Sequence, residues 1–203
     1  MLTKKEQRKE KTREAIKQAA LQIAATEGWQ GVTIRKIADH VLYTPPIVYE
    51  FFKNKDALYH QLVQDGFTQL TALSVAAVEG ANTPETKLLR MLEARFDFAT
   101  QNSTLHHLMF DADNSSWHAE IIIRATRTIK DLSFQLLVAI SGQEAKAHEY
   151  FLNLVCLVKG YTFFEKHLTA NKLAKAEFLT GKNTMKTLFI EAIQRFIDSI
   201  KSN

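Results

Sequence analysis

Cysteine is nearly absent from this chain: Cys156 is the only one among 203 residues. A single cysteine cannot close an internal disulfide bond, so a disulfide-stapled secreted domain is excluded and a reducing cytoplasm is the expected compartment. Long apolar runs are absent too. The longest nearly apolar run, residues 150–158, contains Asn153, whereas a helix that crosses a bilayer needs about 20 apolar residues. The polar, charged N-terminus predicts that no secretory signal is present.

Residues that interrupt helices are scarce as well. The chain has three prolines and seven glycines, while the strong helix formers Leu, Ala, Lys and Glu are common, so the sequence predicts an all-α fold. Apolar spacing, capping residues and loop signals predict the individual helices. These cover about residues 12–27, 33–40, 55–79, 84–100, 105–110, 117–140, 143–168 and 184–201, with a further short helix after Thr44.

Charge is distributed unevenly along the chain, whose net charge is +4. Residues 1–58 hold 11 Lys and Arg against 7 Asp and Glu, and the remainder holds 15 of each, so the whole excess lies in the first quarter. Six of these basic residues form an N-terminal arm. They are Lys4, Lys5, Arg8, Lys9, Lys11 and Arg13. Such an arm suits a polyanionic partner, and the alternative is a solvated, frayed terminus.

Two short helices joined by a tight turn are predicted between residues 33 and 58. Thr33 is a suitable N-cap for the first helix, residues 41–43 form the turn, and Thr44 caps the second helix. The two prolines that follow mark its start, because proline is favoured where helical N–H groups have no partner. The second helix has an uncharged start and basic residues just past its end. That arrangement is typical of a recognition helix that enters the DNA major groove while flanking cations bind phosphates.

Residues 12–58 resemble the DNA-binding domain of the TetR family of transcriptional regulators. The matching segments are Thr12-Arg13-Glu14, Gly28, Val32-Thr33-Ile34-Arg35-Lys36-Ile37-Ala38, Ile47-Val48-Tyr49 and Phe52-Lys53-Asn54-Lys55-Asp56-Ala57-Leu58. Their spacing agrees with that of the family without gaps. One position departs from it, because the family usually has Gly in the turn where this chain has Leu42. Either Leu42 carries backbone strain or the turn takes another shape.

The resemblance implies an N-terminal three-helix helix-turn-helix DNA-binding domain over residues 1–58. It also implies a larger C-terminal helical bundle for ligand binding and dimerisation over residues 59–203. The residues implied to contact DNA are Thr33, Arg35, Thr44, Pro45, Pro46, Tyr49, Lys53 and Lys55. The arginine would reach a phosphate or a base edge, the lysines and the tyrosine phosphate, and the prolines a thymine methyl or a sugar. The alternative for Tyr49 and for Phe52 is a place in the core.

A pocket for a small-molecule effector is implied for the bundle, because members of the family enclose their effectors there. The effector implied is largely apolar. The residues predicted to line the pocket are Phe96, Met109, Phe110, Trp117, Phe134, Phe151, Tyr161 and Phe164. The polar groups predicted to orient the effector are His106, His107, Asn153 and Tyr161. The alternative for each aromatic residue is that it fills the core.

Apolar residues are more abundant in the last two predicted helices than one small bundle easily covers. The resemblance implies that these helices pair with their copies in a second subunit as a four-helix bundle. The predicted interface residues are Met185, Phe189, Ile193 and Phe196. The alternative is that part of this apolar stripe belongs to the core of a single subunit.

Other chemistry finds little support in the sequence. A metal site would need His106 and His107 with Asp111 and Asp113, but adjacent histidines point to different sides of a helix. No cofactor is expected, since the chain lacks a Gly-rich phosphate-binding loop and a G-x-S-x-G motif. Cys156 lies in an apolar run, which predicts a buried side chain rather than a nucleophile.

The sequence therefore predicts a cytoplasmic TetR-like regulator with no membrane partner. We expect a repressor that is released by a small-molecule effector and acts as a homodimer on a near-palindromic DNA operator. The alternatives are a non-enzymatic helical adaptor with a vestigial DNA-binding module, and a helical enzyme that uses the aromatic cavity. The enzyme alternative would need clustered acid and base groups, and the sequence shows no such cluster. The effector, the operator sequence and the sign of regulation are left open.

Overall fold

The computed structural model describes residues 3–110, 116–170, 179 and 184–201, and the described side chains exclude those of residues 116–119, 121, 169 and 170. These residues form helices, turns and short connections, with no strand among them. The chain divides into two compact units. Unit 1 contains residues 1–66 and 104–114, and unit 2 contains residues 67–103 and 115–203. The domain boundary predicted at residue 58 therefore falls inside unit 1.

Ten α-helices lie within the described ranges. They are α1 Lys4–Glu27, α2 Ile34–His40, α3 Pro45–Phe51, α4 Lys55–Val78, α5 Pro84–Gln101, α6 Ser103–Phe110, α7 Ser116–Ala125, α8 Arg127–Ser141, α9 Ala147–Ala170 and α10 Met185–Lys201. Short 3₁₀ turns, Trp29–Gly31 and Glu144–Lys146, precede α2 and α9. Every helix predicted from the sequence is present, so the all-α fold is confirmed, but two predicted helices differ in extent.

The first difference is the start of α1, which begins at Lys4 rather than near Thr12. Thr3 and Glu6 form a capping box there: the Thr3 hydroxyl accepts from the Glu6 N–H at 3.3 Å, and the Glu6 carboxylate accepts from the Thr3 N–H at 2.7 Å. Two N–H groups without helical partners are satisfied in this way. The apolar stripe of the helix begins only at Ile16, so apolar periodicity could not reveal the earlier turns.

The second difference is a break in the helix predicted for residues 117–140, which is divided into α7 and α8 at Thr126. The Thr126 hydroxyl donates to the Ile122 carbonyl at 2.7 Å, and the Thr126 N–H donates to the same oxygen at 2.9 Å. A threonine hydroxyl that binds the carbonyl four residues back is known to bend helices. The backbone continues into α8 with little change of conformation, since Thr126 has φ −87° and ψ −2°.

The core of unit 1 joins α1, α2, α3 and the start of α4. Ile16, Ile37, Val48 and Leu58 are all fully buried. The short helix α6 belongs to this unit through α4: the Tyr59 hydroxyl donates to the Leu108 carbonyl at 2.8 Å. These contacts explain why unit 1 extends past residue 58.

The core of unit 2 is formed by α5, α8, α9 and α10. The Phe96 and Phe189 rings stack with their centroids 4.9 Å apart. Ion pairs fix the direction of α10 along α5: Lys201 lies 2.7 Å from Glu85, and Lys186 lies 2.8 Å from Asp97. Because the end of one helix meets the start of the other, α5 and α10 run antiparallel.

Most of the residues predicted to form a dimer interface lie in this core instead. Met185, Phe189 and Ile193 are buried, Phe189 being only 1% exposed, and Phe196 is half-buried. The interface prediction is therefore corrected for the first three, because helical periodicity identifies a buried face without identifying the surface that covers it. A second correction concerns Cys156, which is exposed on α9 rather than buried.

The described residues contain neither a helix suited to span a membrane nor a group of side chains suited to bind a metal ion. None of their helices has the length and apolarity that crossing a membrane requires. Within the same ranges, no three His, Cys, Asp or Glu side chains come together in a group that could hold a metal ion. Asp111 and Asp113, which the metal alternative needs, lie outside the described residues.

Candidate DNA-binding surface

Helix α3 is held against unit 1 by one face and leaves the other to solvent. Val48 and Phe52 are buried, whereas Pro46 and Tyr49 are exposed, with Tyr49 53% exposed. Pro46 and Tyr49 are three residues apart, which places them on one side of a helix. The two alternatives for the aromatic residues are thereby separated, since Phe52 belongs to the core and Tyr49 to the surface.

Thr44 precedes α3 at the N-cap position, but its side chain does not cap the helix. It occupies the N-cap position with extended backbone, φ −90° and ψ 151°, yet its hydroxyl makes no capping hydrogen bond. The side chain is exposed. Pro45 follows it half-buried. Thr44, Pro46 and Tyr49 therefore form an exposed, uncharged surface of mixed polar and apolar character, which suits contact with base edges and thymine methyl groups.

The turn between α2 and α3 carries backbone strain at Leu42, whose φ is 58°. This left-handed conformation costs a non-glycine residue about 1–2 kcal/mol. The strain brings no packing, because Leu42 is 90% exposed, and Tyr43 beside it is exposed as well. Sequence reasoning missed both as surface residues. A large apolar residue at the turn position where the family usually has Gly was the available signal.

Basic groups flank this surface in two different states. Arg35 and Lys53 are exposed, and neither forms an ion pair with any residue that the structure describes. Lys36, by contrast, pairs with Glu27. The Thr33 hydroxyl caps α2 by accepting from the Lys36 N–H at 3.2 Å, so it keeps only its own proton to offer a phosphate. Arg35 and Lys53 are therefore two basic side chains beside α3 that remain available to DNA.

Lys55 was predicted to bind backbone phosphate, and in the structure its ammonium group also makes contacts within unit 1. Its ammonium group donates to the Gln30 carbonyl at 3.4 Å and lies 5.3 Å from the centre of the Trp29 ring. Burial lowers the pKa of Lys55 below its usual value, and Asp56 opposes this only in part. Lys55 therefore ties the turn before α2 to the start of α4, and two of its three protons remain for a phosphate.

The residues predicted to line an effector pocket are divided between the two units. Met109 and Phe110 belong to unit 1, and Phe96 packs in the unit 2 core. Phe134 contacts Phe151 at 5.0 Å and His148 at 4.6 Å between ring centroids. Tyr161 packs on Phe189 at 5.5 Å, in the same core cluster as Phe96 and Phe151, and Phe164 is 55% exposed. The Trp117 side chain is outside the described ones.

The polar groups predicted beside that pocket are separated as well. His106 and His107 belong to α6 in unit 1, where the His106 ring lies 4.8 Å from the Phe110 ring. Asn153 is exposed on α9. Tyr161 is half-buried in the unit 2 core. Only Tyr161 therefore lies where a ligand inside the bundle would meet it.

Arg95 is a partly buried cation in unit 2 that sequence reasoning missed. Its Nε atom is buried without a hydrogen-bond partner, and no described carboxylate pairs with its guanidinium. Burial lowers the pKa of Arg95 to about 10. The residue lies seven, three and four positions from Leu88, Leu92 and Ala99, all buried, so it sits in the middle of the apolar stripe of α5. A cation in that position was the signal in the sequence.

These features define a helix-turn-helix protein with an exposed recognition helix. Residues 16–62 match the family described as "Bacterial regulatory proteins, tetR family". The HTH-type transcriptional activator FasR of Mycolicibacterium smegmatis is 27% identical over 129 residues, which are 63% of this chain and 59% of that protein. The chain thus matches less than two thirds of the length of this curated relative.

Solved structures extend the likeness over nearly the whole chain. A putative transcriptional regulator from Pseudomonas aeruginosa PAO1 has a TM-score of 0.76 at 15% identity, covering 96% of this chain and 92% of that one. The fatty acid degradation regulator FadR from Bacillus halodurans has a TM-score of 0.71 at 16% identity, covering 91% and 94%. At these identities the likeness concerns the fold. The match to the TetR family of bacterial regulatory proteins rests on residues 16–62.

Proposed function

We propose that this chain is a transcriptional regulator that binds duplex DNA through the exposed surface from Leu42 to Lys53. The observation that supports this most strongly is α3 itself. Its inner face is buried by Val48 and Phe52, while Thr44, Pro46 and Tyr49 face solvent. A short helix with an uncharged exposed face and free cations beside it fits the major groove and its bordering phosphates.

A mobility-shift assay with the DNA upstream of the chain's own gene tests this function. We expect a shift that resists competitor DNA and weakens steeply as salt rises. Tyr49→Phe should weaken it, because the exposed hydroxyl would be lost. Tyr161→Phe removes the same hydroxyl from the half-buried ring on α9 and is the matched control. No salt-sensitive shift, or equal effects of the two changes, would contradict the proposal.

The protein acts as a homodimer through the outer face of α9. Leu152 and Phe163 are 62% and 57% exposed, and they share one side of the helix with Cys156. A Cβ placed on Gly160 would meet no atom within 4 Å, so another helix can approach closely there. The family likeness supports a second copy of the chain as the occupant, since two-fold regulators read two half-sites of a near-palindromic operator.

Sedimentation measurements test the dimer. Phe163→Glu should give monomers and loosen operator binding, because a carboxylate would enter an apolar interface. Ile123→Glu is the matched control, since Ile123 is 71% exposed on α7 and lies on a different helix. A monomeric unmodified protein would contradict the assignment, as would monomers produced by both changes.

An effector that carries an anionic group and an apolar body would bind in unit 2. Arg95 supports this class, because its Nε atom is buried without a hydrogen-bond partner beside Leu88, Leu92 and Ala99, which costs stability unless an anion compensates it. A thermal-shift assay with octanoate and benzoate, against octanamide and benzamide, tests it. The acids should raise the unfolding temperature and the neutral amides should not, and Arg95→Met should remove the difference. Equal shifts from acids and amides would contradict it.

A reporter experiment tests the direction of regulation. Repression relieved by the effector is the outcome that we predict. FasR, the curated relative, is named as an activator, so the fold alone carries neither sign. Deleting the gene should raise expression from a reporter that carries the chain's own operator. A fall in expression would establish activation instead and would leave the DNA-binding proposal standing.

A further inference from the structure

We propose that residues 4–13, about the first three turns of α1, are a second DNA-binding element that contacts the phosphate backbone beside the segment read by α3. This inference rests on the proposed DNA-binding function. Residues 4–13 precede the family match, which begins at residue 16. We call them the basic arm.

The basic arm is folded without packing to hold it. Its first turn is closed by the Thr3–Glu6 capping box, and residues 3–11 are all exposed. Burial therefore does not account for these turns, since no apolar side chain of the arm enters the core. A capped helix that extends beyond its domain presents its side chains in a fixed order, so that a partner meets them already arranged.

The charges of the basic arm are sorted by face. Lys5, Arg8 and Lys9 continue the line of the core-facing residues Ile16 and Ala20, at spacings of three, four, seven and eleven positions. Lys4 and Lys11 project about 100–160° around the helix from Lys5 and Lys9, and they border the basic face only beside Arg8, four and three positions from it. The acidic residues occupy a third strip, formed by Glu6, Glu10 and Glu14. One face of the arm is therefore purely basic.

No protein group neutralises this basic face. Lys5, Arg8 and Lys9 are exposed, and none pairs with a carboxylate among the residues that the structure describes. Like charges three and four positions apart on a helix repel each other. A polyanion that lies along the face would relieve this repulsion.

The basic face begins where the recognition helix ends. The Arg13 guanidinium lies 5.2 Å from the centre of the Phe52 ring and 5.9 Å from that of Phe51. Lys53 is the next residue, exposed and unpaired within the described part of the chain. Lys5 lies eight residues before Arg13, which corresponds to about 12 Å along the helix. Arg13 and Lys53 thus join the arm to the α3 surface within unit 1.

Duplex DNA is the partner that this arrangement favours. A membrane-binding helix needs an apolar face, and the basic arm has none. An arm aligned with a recognition helix meets the backbone of the same duplex a short distance away. Its contacts would be independent of sequence, so they would add affinity and salt dependence rather than base selectivity.

Two double variants distinguish the effect of the basic face on DNA binding from the effect of net charge. Lys5→Ala/Lys9→Ala and Lys4→Ala/Lys11→Ala each remove two charges from the arm, and alanine preserves its helix. Binding is measured by fluorescence anisotropy against a duplex of about 40 base pairs centred on the footprint in the chain's own upstream DNA. The first variant should lower the salt slope by about two units for each bound protomer. The second should lower it by less than one unit.

Trimming the duplex locates the contact. With a duplex of about 20 base pairs, which covers the two half-sites alone, the unmodified protein should lose about tenfold in affinity. Lys5→Ala/Lys9→Ala should lose little more on trimming, because its flanking contacts are already gone. The proposed role of the basic arm would be overturned by equal salt slopes of the two double variants. It would also be overturned if the unmodified protein and Lys5→Ala/Lys9→Ala lost equal affinity on trimming. Failure of the unmodified protein to bind either duplex would instead overturn the DNA-binding function.

Discussion

Units 1 and 2 differ in how clearly their candidate binding groups can be recognised. In unit 1 the candidate groups, such as Tyr49 and Arg35, are exposed and lie beside a helix that the core holds from behind. In unit 2 the candidate group, Arg95, is a partly buried cation whose Nε lacks a hydrogen-bond partner, in a bundle of apolar residues. DNA has the same backbone for every such protein, so its binding surface leaves a recurring pattern. Small effectors differ between regulators, so their sites leave none.

The largest expected effect tests whether the apolar stripe of α10 is core or interface. Phe189→Ala should destabilise unit 2 by about 3–5 kcal/mol, because a buried aromatic ring would leave a cavity beside Phe96. Ile123→Ala, on the exposed face of α7, is the control and should change stability by under about 0.5 kcal/mol. Chemical denaturation followed by circular dichroism measures both. Comparable losses would mean that the two faces are not distinguished as described.

A gain in stability is expected from unit 2 when Arg95 becomes methionine. The change removes a cation whose Nε is buried without a hydrogen-bond partner, and replacements of buried ionic groups stabilise proteins by about 1–4 kcal/mol. A matched change on unit 1, Arg35→Met, should be close to neutral because Arg35 is exposed. Scanning calorimetry of both variants makes the comparison. Destabilisation by Arg95→Met would show that the guanidinium is already compensated.

Tyr49→Ala, in unit 1, should change DNA binding and leave the stability of the fold unchanged. We expect operator affinity to fall about tenfold, equivalent to about 1.4 kcal/mol, because a side chain on the DNA-facing side of α3 is lost. The unfolding temperature should stay close to that of the unmodified protein. Anisotropy titration and thermal melting measure the two quantities. Unchanged affinity would remove Tyr49 from the binding surface.

Leu42 gives the smallest effect and separates strain from contact. Leu42→Asn should stabilise unit 1 by about 0.5–1 kcal/mol, because asparagine tolerates the left-handed backbone more easily that Leu42 adopts at φ 58°. Leu42→Ala keeps the strain and serves as the control, without that gain. If the exposed leucine touches a thymine methyl, both variants should bind the operator more weakly. Equal stability of the two would mean that the turn is unstrained.

The elements that follow local rules could be predicted from sequence. Thr83 and Pro84 gave the start of α5, and Gly142 gave the end of α8, because caps and breakers act within a few residues of themselves. The beginning of α1 was missed because its stabilisation is a capping box and not apolar periodicity. The break at Thr126 depends on a single hydroxyl, which a periodic pattern does not register.

The candidate sites were predictable to a different degree. The exposed residues of α3 could be predicted from the spacing of the motif residues. The contact between Lys55 and Trp29 could not, because it joins residues that are far apart in the sequence. Pocket residues could not be chosen, because aromatic content does not tell a wall from a core, as Phe96 shows. The same reason misplaced Phe189, since a stripe reveals that a face is buried and not which surface buries it.

Hydroxyl-radical footprinting of the chain on its own upstream DNA tests the central claim most directly, namely that α3 reads duplex DNA. The account predicts protected segments on one face of the duplex, with half-site centres about 34–36 Å apart or a multiple of that spacing. Tyr49→Ala should abolish the protection at protein concentrations that saturate the unmodified chain. An absent footprint, or one that Tyr49→Ala leaves unchanged, would contradict the claim.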